Sequence, residues 1–323
     1  MRNFRSKFIA YAVGLLIVLA LKLGGCTGTQ PEVTSTETPT SFAPQIVTEN
    51  ANRVSVLGIR SAVKANAEYN GLIDYLSQAT DRPFILVAHT LEDQFTQVKQ
   101  GNVDFVFSNP LAAVQMRRLY GLKFLATLKR PKTGKEFGGL IIVRSDSDLE
   151  KLEDLRGKNV VCLNFQTAAG GCNFQIYHLR QKGIDPFADF GSFRELQSQD
   201  NIVFSVLNGT FDAGFIRTGQ LEKMLAEGSL ISLDELRILD LAADDYYYPH
   251  TTRLYPEWPF AAMPETDPET IAAVKDALLN ASPSTLGAAR AEGFVPPIDY
   301  TPMDELIETL KLKSWDAPPV SPE

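Results

Sequence analysis

From residue 53 onward, short apolar runs rich in β-branched residues alternate with stretches of helical period. "RVSVLGI" (53–59) predicts a strand, "AEYNGLIDYLSQAT" (67–80) a helix and "PFILVAH" (83–89) a strand; "LEDQFTQVKQG" (91–101) and "VDFVFS" (103–108) continue the alternation. Apolar runs of this length suit buried strands, and apolar spacings of three and four suit one face of a helix. The same order then returns as strand 158–164, helix 172–183, strand 192–197, helix 200–209 and strand 211–216. A βαβαβ order predicts a parallel sheet with right-handed crossovers, here twice over.

The repetition reaches single residues. "VKQGNVDFVFSNP" (98–110) lies over "VLNGTFDAGFIRT" (206–218), placing Gly101 on Gly209, Asp104 on Asp212 and Phe107 on Phe215. Each glycine is positioned to end a helix in the left-handed conformation. Each aspartate is expected to cap or turn rather than to meet a ligand. Helical segments at 267–282, 284–293 and 301–312 have no counterpart between the halves. The expected fold is α/β and two-lobed, each lobe a mainly parallel sheet flanked by helices. The chain crosses to the second lobe near 136–143 and returns near 236–241, two hinge crossings around one cleft. Lobe one takes 53–137 and 239–315, lobe two 138–238, and 316–323 form a tail.

The N-terminus changes the setting. "MRNFRSK" supplies Arg2, Arg5 and Lys7, and residues 8–21 form an apolar run of 14. A membrane span needs about 20 such residues, so this reads as the charged and apolar regions of an export signal. "LGGC" is similar to a bacterial lipobox, with Leu23 three before Cys26, the residue that would carry the lipid. An uncleaved anchor is the alternative, and both export the remainder. Residues 1–25 are then a lipoprotein signal peptide and 26–52, rich in Thr, Ser, Pro and Glu, a flexible tether. Without the first 25 residues the chain keeps 27 basic against 39 acidic side chains, a net charge of −12. That balance speaks against nucleic acid and against an anionic lipid face. It leaves room for a small anion in a cleft, where local donors dominate.

Ligands in open parallel sheets sit beyond the carboxyl ends of the strands, where loops lead into helix N-termini. In the first half this nominates Arg60 and Ser61, Thr90, and Ser108 with Asn109. In the second half it nominates Thr167, Ala169, Gly170 and Gly171 of "QTAAGG", then Arg217 and Thr218 of "IRTGQ". Exposed amides at helix starts favour anions, and a guanidinium can fork onto two oxygens. Each nomination has a plainer counterpart. Ser108 and Asn109 can cap their own helix, an arginine can pair with a neighbouring carboxylate, and the glycines can make a tight corner. Arg217 is favoured over Arg60. Beyond the lipid-carrying Cys26, Cys162 and Cys172 are the remaining cysteines: a disulfide, a reactive thiol at Cys172 and two separate thiols all remain open. His89, His178 and His250 show no metal-ligand spacing. Neither a nucleophile–base–acid set nor a phosphate-binding loop occurs. No catalytic residue, metal or cofactor is expected. The aromatics of "DDYYYPH" and "YPEWPF" are read as packing.

Taken together, "GNVDFVFSNP", "DLRGKNVV", "AAGG", "GIDP" and "LNGTFDAGFIRTG" resemble the phosphate/phosphite/phosphonate (PhnD-like) solute receptors of ABC importers. The resemblance runs from about residue 53 to 312. "VFSNP", "FDAGFIRTG" and "ISLDELRILD" look similar to the sensor domains of tetrathionate-type histidine kinases. The resemblance implies a type II periplasmic-binding-protein fold and a small anionic solute held between the lobes. Its implied partner is an ABC permease, or a membrane sensor kinase as the alternative, with the membrane reached through lipid on Cys26 and the domain facing the periplasm or cell exterior. A stand-alone receptor is expected. In the phosphonate receptors the loop matching "QTAAGG" is rich in Ser and Thr. Here Ala168, Ala169, Gly170 and Gly171 replace most of those hydroxyls, which implies an oxoanion of broader kind.

Overall fold

Strand and helix alternate in space as they do in the sequence. The computed structural model of the chain describes residues 50–58, 62–289 and 291–313. The expected signal peptide, the tether to residue 49 and residues 314–323 lie outside the described residues.

The chain runs through β1 (Asn52–Leu57), α1 (Ala62–Thr80), β2 (Phe84–His89), α2 (Leu91–Lys99), β3 (Phe105–Phe107), α3 (Pro110–Tyr120) and β4 (Lys123–Lys129). It crosses through β5 (Glu136–Phe137) into β6 (Gly139–Arg144), β7 (Asn159–Cys162), α4 (Phe174–Gln181), α5 (Pro186–Asp189) and β8 (Ser192–Glu195). α6 (Gln199–Leu207), β9 (Ala213–Arg217), α7 (Gln220–Ala226) and β10 (Leu236–Ile238) complete that half. The return passes β11 (Tyr255–Pro256), β12 (Pro259–Ala262), α8 (Pro268–Asn280), α9 (Pro283–Leu286), β13 (Gly293–Val295) and α10 (Thr301–Leu310).

One sheet has the order β13-β4-β12-β3-β1-β2 and the other β10-β6-β9-β7-β8. Each is parallel in the trio that the repeat predicts: β2-β1-β3 in one and β8-β7-β9 in the other. The strands added beyond each trio pair antiparallel. The sheets are thus mixed, and "mainly parallel" describes only the trio at one end of each. Four of the antiparallel members, β4, β6, β10 and β12, lead into or out of a crossing, and β13 comes from the C-terminal segment; the repeat contains none of them.

The repeated motif does the same work twice. Gly101 (φ 67°) and Gly209 (φ 75°) both take the left-handed conformation after their helices. Asp104 accepts a hydrogen bond from the Arg53 amide at 2.7 Å, and Asp212 accepts one from the Asn159 amide at 2.7 Å. Phe107 and Phe215 are wholly buried in separate cores. Phe107 meets the rings of Tyr69, Trp258, Phe260 and Phe294 at 5.4 to 6.0 Å, each such pair adding about 1 kcal/mol to the burial of its area.

α1 begins at Ala62 rather than near residue 67. Ala62, Ala65 and Ala67 supply the propensity that extends it, and the connection from β1 shortens accordingly. Two features join the halves. β5 and β11 pair antiparallel, so the outgoing and returning crossings lie side by side. α10 packs Met303, Leu306 and Ile307 into an apolar cluster containing Leu111 and Val114 of α3 together with Phe174 and Tyr177 of α4. This last helix therefore rests on both sheet-bearing halves.

Candidate functional site

Arg217 ends β9, and its guanidinium Nη2 donates to Glu257 Oε1 at 3.1 Å. Arg130, just beyond the end of β4, donates from Nε to the same oxygen at 2.9 Å. Glu257 lies between β11 and β12 and its side chain is wholly buried, whereas those of Arg130 and Arg217 are 16% and 23% exposed. Three parts of the fold meet here: Arg130 from one sheet, Arg217 from the other, and the carboxylate from the returning crossing.

The surroundings are protein-rich. The Arg217 guanidinium lies 4.7 Å from the centre of the Phe137 ring. Burial lowers the proton affinity of Arg217; Glu257 partly offsets this and the like charge of Arg130 adds to it. Burial acts the same way on Arg130, but Glu257, Tyr69 and Glu68 outweigh it and hold its charge firmly. Burial raises the Tyr69 phenol well above its ordinary range. Burial and then Glu257 push Tyr246 up to about 12. Both phenols are neutral at physiological pH. Two guanidiniums, a buried carboxylate and a nearby Glu68 thus make a water-poor charged focus. Of the two cations, Arg217 is the less well compensated, and an arriving anion gains most there.

The backbone carrying Arg217 is held tightly. Its amide donates to Gln199 Oε1 at 2.7 Å. Gln175, wholly buried on α4, donates from Nε2 to the carbonyls of Gly170 and Ile216 at 2.8 Å and of Leu140 at 3.1 Å. One amide thereby fixes the loop before α4, β6 and the end of β9 together.

The other nominated residues fall into three groups. Arg60 and Ser61 lie outside the described residues. Thr90 caps α2, its hydroxyl accepting from the Asp93 amide at 3.2 Å, and Asn109 caps α3, accepting from the Ala112 amide at 3.1 Å. Ser108 is wholly buried and donates to Gln94 Oε1 at 2.7 Å. Gln94 in turn reaches Ser55, which touches His89 Nδ1 at 2.8 Å. Thr167 donates to Asn164 Oδ1 at 2.7 Å. The buried Thr218 accepts from the Gly138 amide at 3.2 Å, which ties β9 to the outgoing crossing. The structure therefore gives Thr90, Ser108, Asn109, Thr167 and Thr218 local partners, and of the described nominees it brings the Arg217 side chain into the charged focus.

Ala169, Gly170 and Gly171 belong to a π-helical turn, Ala169–Asn173, that precedes α4. The expected open cradle is packed shut by the chain itself. A Cβ on Gly170 would lie 2.8 Å from Phe137 Cε2 and 2.9 Å from the Gly138 carbonyl, and one on Gly171 would lie 2.8 Å from Leu163 Cδ1. What comes close to Gly170 is the outgoing crossing, and what comes close to Gly171 is Leu163, the residue after β7. Cys162 and Cys172 are joined by a disulfide across the same loop, with Cα atoms 5.1 Å apart. Of the three states open in the sequence this is the one found, and it removes a reactive thiol at Cys172.

Arg130, Glu257 and Phe137 escape the sequence reading. Arg130 stands in "LKRPKTGK" among other cations, and Glu257 in "YPEWPF", a segment read for its rings. Tyr255 and Trp258 of that segment are indeed core residues. A lone acid inside an otherwise apolar run was the available signal, because such a group is buried only when paired. Among the described residues, no group of three or more His, Cys, Asp or Glu is arranged to hold a metal ion. No helix there is long and apolar enough to cross a membrane.

A family profile described as "ABC transporter, phosphonate, periplasmic substrate-binding protein" matches residues 54–300. The tetrathionate sensor histidine kinase TtrS of Salmonella typhimurium is 29% identical over 274 residues, covering 81% of this chain and 46% of that protein. The chain thus spans under half the length of that curated relative. Among solved structures, PhnD1 of Prochlorococcus marinus in complex with methylphosphonate matches with a TM-score of 0.64 at 17% identity, over 81% of this chain and 98% of that one. A Xanthomonas citri protein bound to ATP gives 0.65 at 18% identity, over 81% and 97%. A binding component of a Pseudomonas aeruginosa ABC phosphonate transporter gives 0.63 at 14%, over 81% and 87%. At these identities the structures establish a shared two-lobed fold, and the ligand must be argued from the site.

Proposed function

Because the chain belongs to the periplasmic substrate-binding family of ABC phosphonate transporters, we propose that it is an exported receptor that closes two lobes on a small oxoanion and hands it to a permease. The observation that carries this reading is the meeting of Arg130 and Arg217, from different sheets, at one hinge carboxylate. Two guanidiniums brought together from opposite sides can each fork onto a tetrahedral head, and the head then bridges the lobes. Arg217 is the principal anchor, Arg130 its opposite, and Arg60 and Ser61 remain candidates on the connection after β1. Phosphonates, phosphite and sulfur oxoanions all present such a head. The lobes are 53–137 with 239–315 and 138–238; lipid on Cys26, after removal of residues 1–25, anchors them through the 26–52 tether.

Thermal-shift measurement against phosphite, phosphonates, sulfur oxoanions and carboxylates tests the ligand class. A ligand at a hundred times its Kd stabilises the folded form by about 2.7 kcal/mol. Stabilisation by carboxylates alone, or by nothing in the panel, would defeat the oxoanion reading. Labelling with fatty acid in wild type and in Cys26→Ser tests the anchor.

A second reading has its own support, the identity with a tetrathionate sensor kinase over most of this chain. There the liganded lobes would signal to a membrane histidine kinase. Ligand-dependent cross-linking in membranes separates the two, by capture of a permease or of a kinase.

A further inference from the structure

Glu257 is an unexpected group in a site that recruits anions. Its side chain is wholly buried, and its Oε1 accepts from both guanidiniums while Oε2 lies 3.4 Å from the Trp258 amide. One carboxylate shared by two cations cancels half of their charge before any ligand arrives. Glu68 acts on Arg130 as well, and Tyr69 and Tyr246 are held neutral. Among the described residues the focus therefore offers at most about one net positive charge, in surroundings where water screens little. A tetrahedral head with one negative charge matches it. A head with two places its second charge near Glu257, and the cations that face this carboxylate among the described residues, Arg130 and Arg217, are already shared with it.

We infer that Glu257 is a specificity-determining residue, which restricts the site to singly charged heads of sulfonate type and disfavours doubly charged phosphonate. The inference rests on the oxoanion reading and deepens it, since an arginine pair alone would favour the higher charge. Arg217 and Arg130 attract, and Glu257 selects by repulsion.

The test uses two compounds of nearly one shape, methanesulfonate and methylphosphonate. Titration calorimetry on the full chain compares them in wild type and in Glu257→Gln, at mildly acidic and mildly alkaline pH. Wild type is expected to prefer methanesulfonate, and its relative affinity for methylphosphonate falls as that ligand loses its second proton. In Glu257→Gln the preference moves toward methylphosphonate by at least roughly tenfold at the alkaline pH. A folded Glu257→Gln with unchanged preference overturns the inference and leaves the oxoanion reading standing. If that variant does not fold, the wild-type series decides. There, methylphosphonate gaining on methanesulfonate as the pH rises overturns the inference. Binding of neither compound by wild type overturns the inference, and the thermal-shift panel then decides the oxoanion reading separately.

Discussion

Asp104 and Asp212 occupy matching positions in the two sheets and perform one task. Each carboxylate accepts from the backbone amide of a residue in the neighbouring strand, Arg53 or Asn159, at 2.7 Å. Each aspartate amide also returns a bond to that residue's carbonyl. Replacement of either by Ala is expected to cost about 1 kcal/mol in urea unfolding. The sites belong to separate sheets, so the double variant should lose the sum of the two. Loss of ligand binding without loss of stability would show that the aspartates act on a ligand instead.

Gly170→Ala should be costly for reasons of space alone. The added methyl meets Phe137 and the Gly138 carbonyl, and the backbone of the crossing cannot step aside without moving β6. About 2 kcal/mol of destabilisation is expected by denaturant midpoint. Gly101→Ala meets nothing within 4 Å and pays only for its positive φ, about 1 kcal/mol. If Gly170→Ala kept full stability but lost affinity, ligand approach would account for the glycine after all.

The two guanidiniums should separate stability from binding. Arg130 offsets Glu68 as well as the buried Glu257, so Arg130→Met leaves two carboxylates short of a cation and should destabilise by about 3 kcal/mol. Arg217→Met leaves Arg130 on Glu257 and should cost only about 1 kcal/mol while reducing oxoanion affinity at least tenfold. Equal affinities for Arg217→Met and wild type in calorimetry would remove Arg217 from the site.

His89 lends a pH dependence to the first lobe. Burial lowers its proton affinity, with Asp93 opposing, and its Nδ1 rests on Ser55 within the network that reaches Ser108. The folded pKa lies below the unfolded one. The contribution is therefore complete above the unfolded value of about 6.5 and is lost as pH falls through that value toward the folded one. Urea midpoints measured from neutral pH down to about pH 5 should fall in wild type and fall less in His89→Gln. Parallel slopes would refute the assignment.

The Cys162–Cys172 disulfide closes a loop of sequence separation 10. Replacing both cysteines by Ala should lower stability by roughly 3 kcal/mol, the loop-closure value for that length. Peptide mapping with and without reductant checks the bond itself, which would appear as one linked pair.

Much of this molecule is legible from local chemistry. The βαβαβ trios, the two helix-ending glycines and the asparagine cap of α3 all follow from residues close together in sequence. The charged focus does not. Arg130 and Glu257 are far apart along the chain, and neither sits in a motif, so only folding reveals that they share an oxygen with Arg217. The glycines of "TAAGG" were legible as a sign of close approach. The sequence could not reveal that the visitor is Phe137 and Gly138 of the same chain, because pairing between crossings has no local signature.

The pairing of β5 with β11 has a mechanical corollary. Two separate flexible links would let the halves twist, slide and bend in several directions. Stitched together by backbone hydrogen bonds, they form one axle, and rotation about it is the cheap deformation left. Arg130, Phe137 and Glu257 sit on or beside that axle, where a small turn changes their distances least. Grip on a ligand there should persist through opening, so release would be governed by contacts farther out along the jaws.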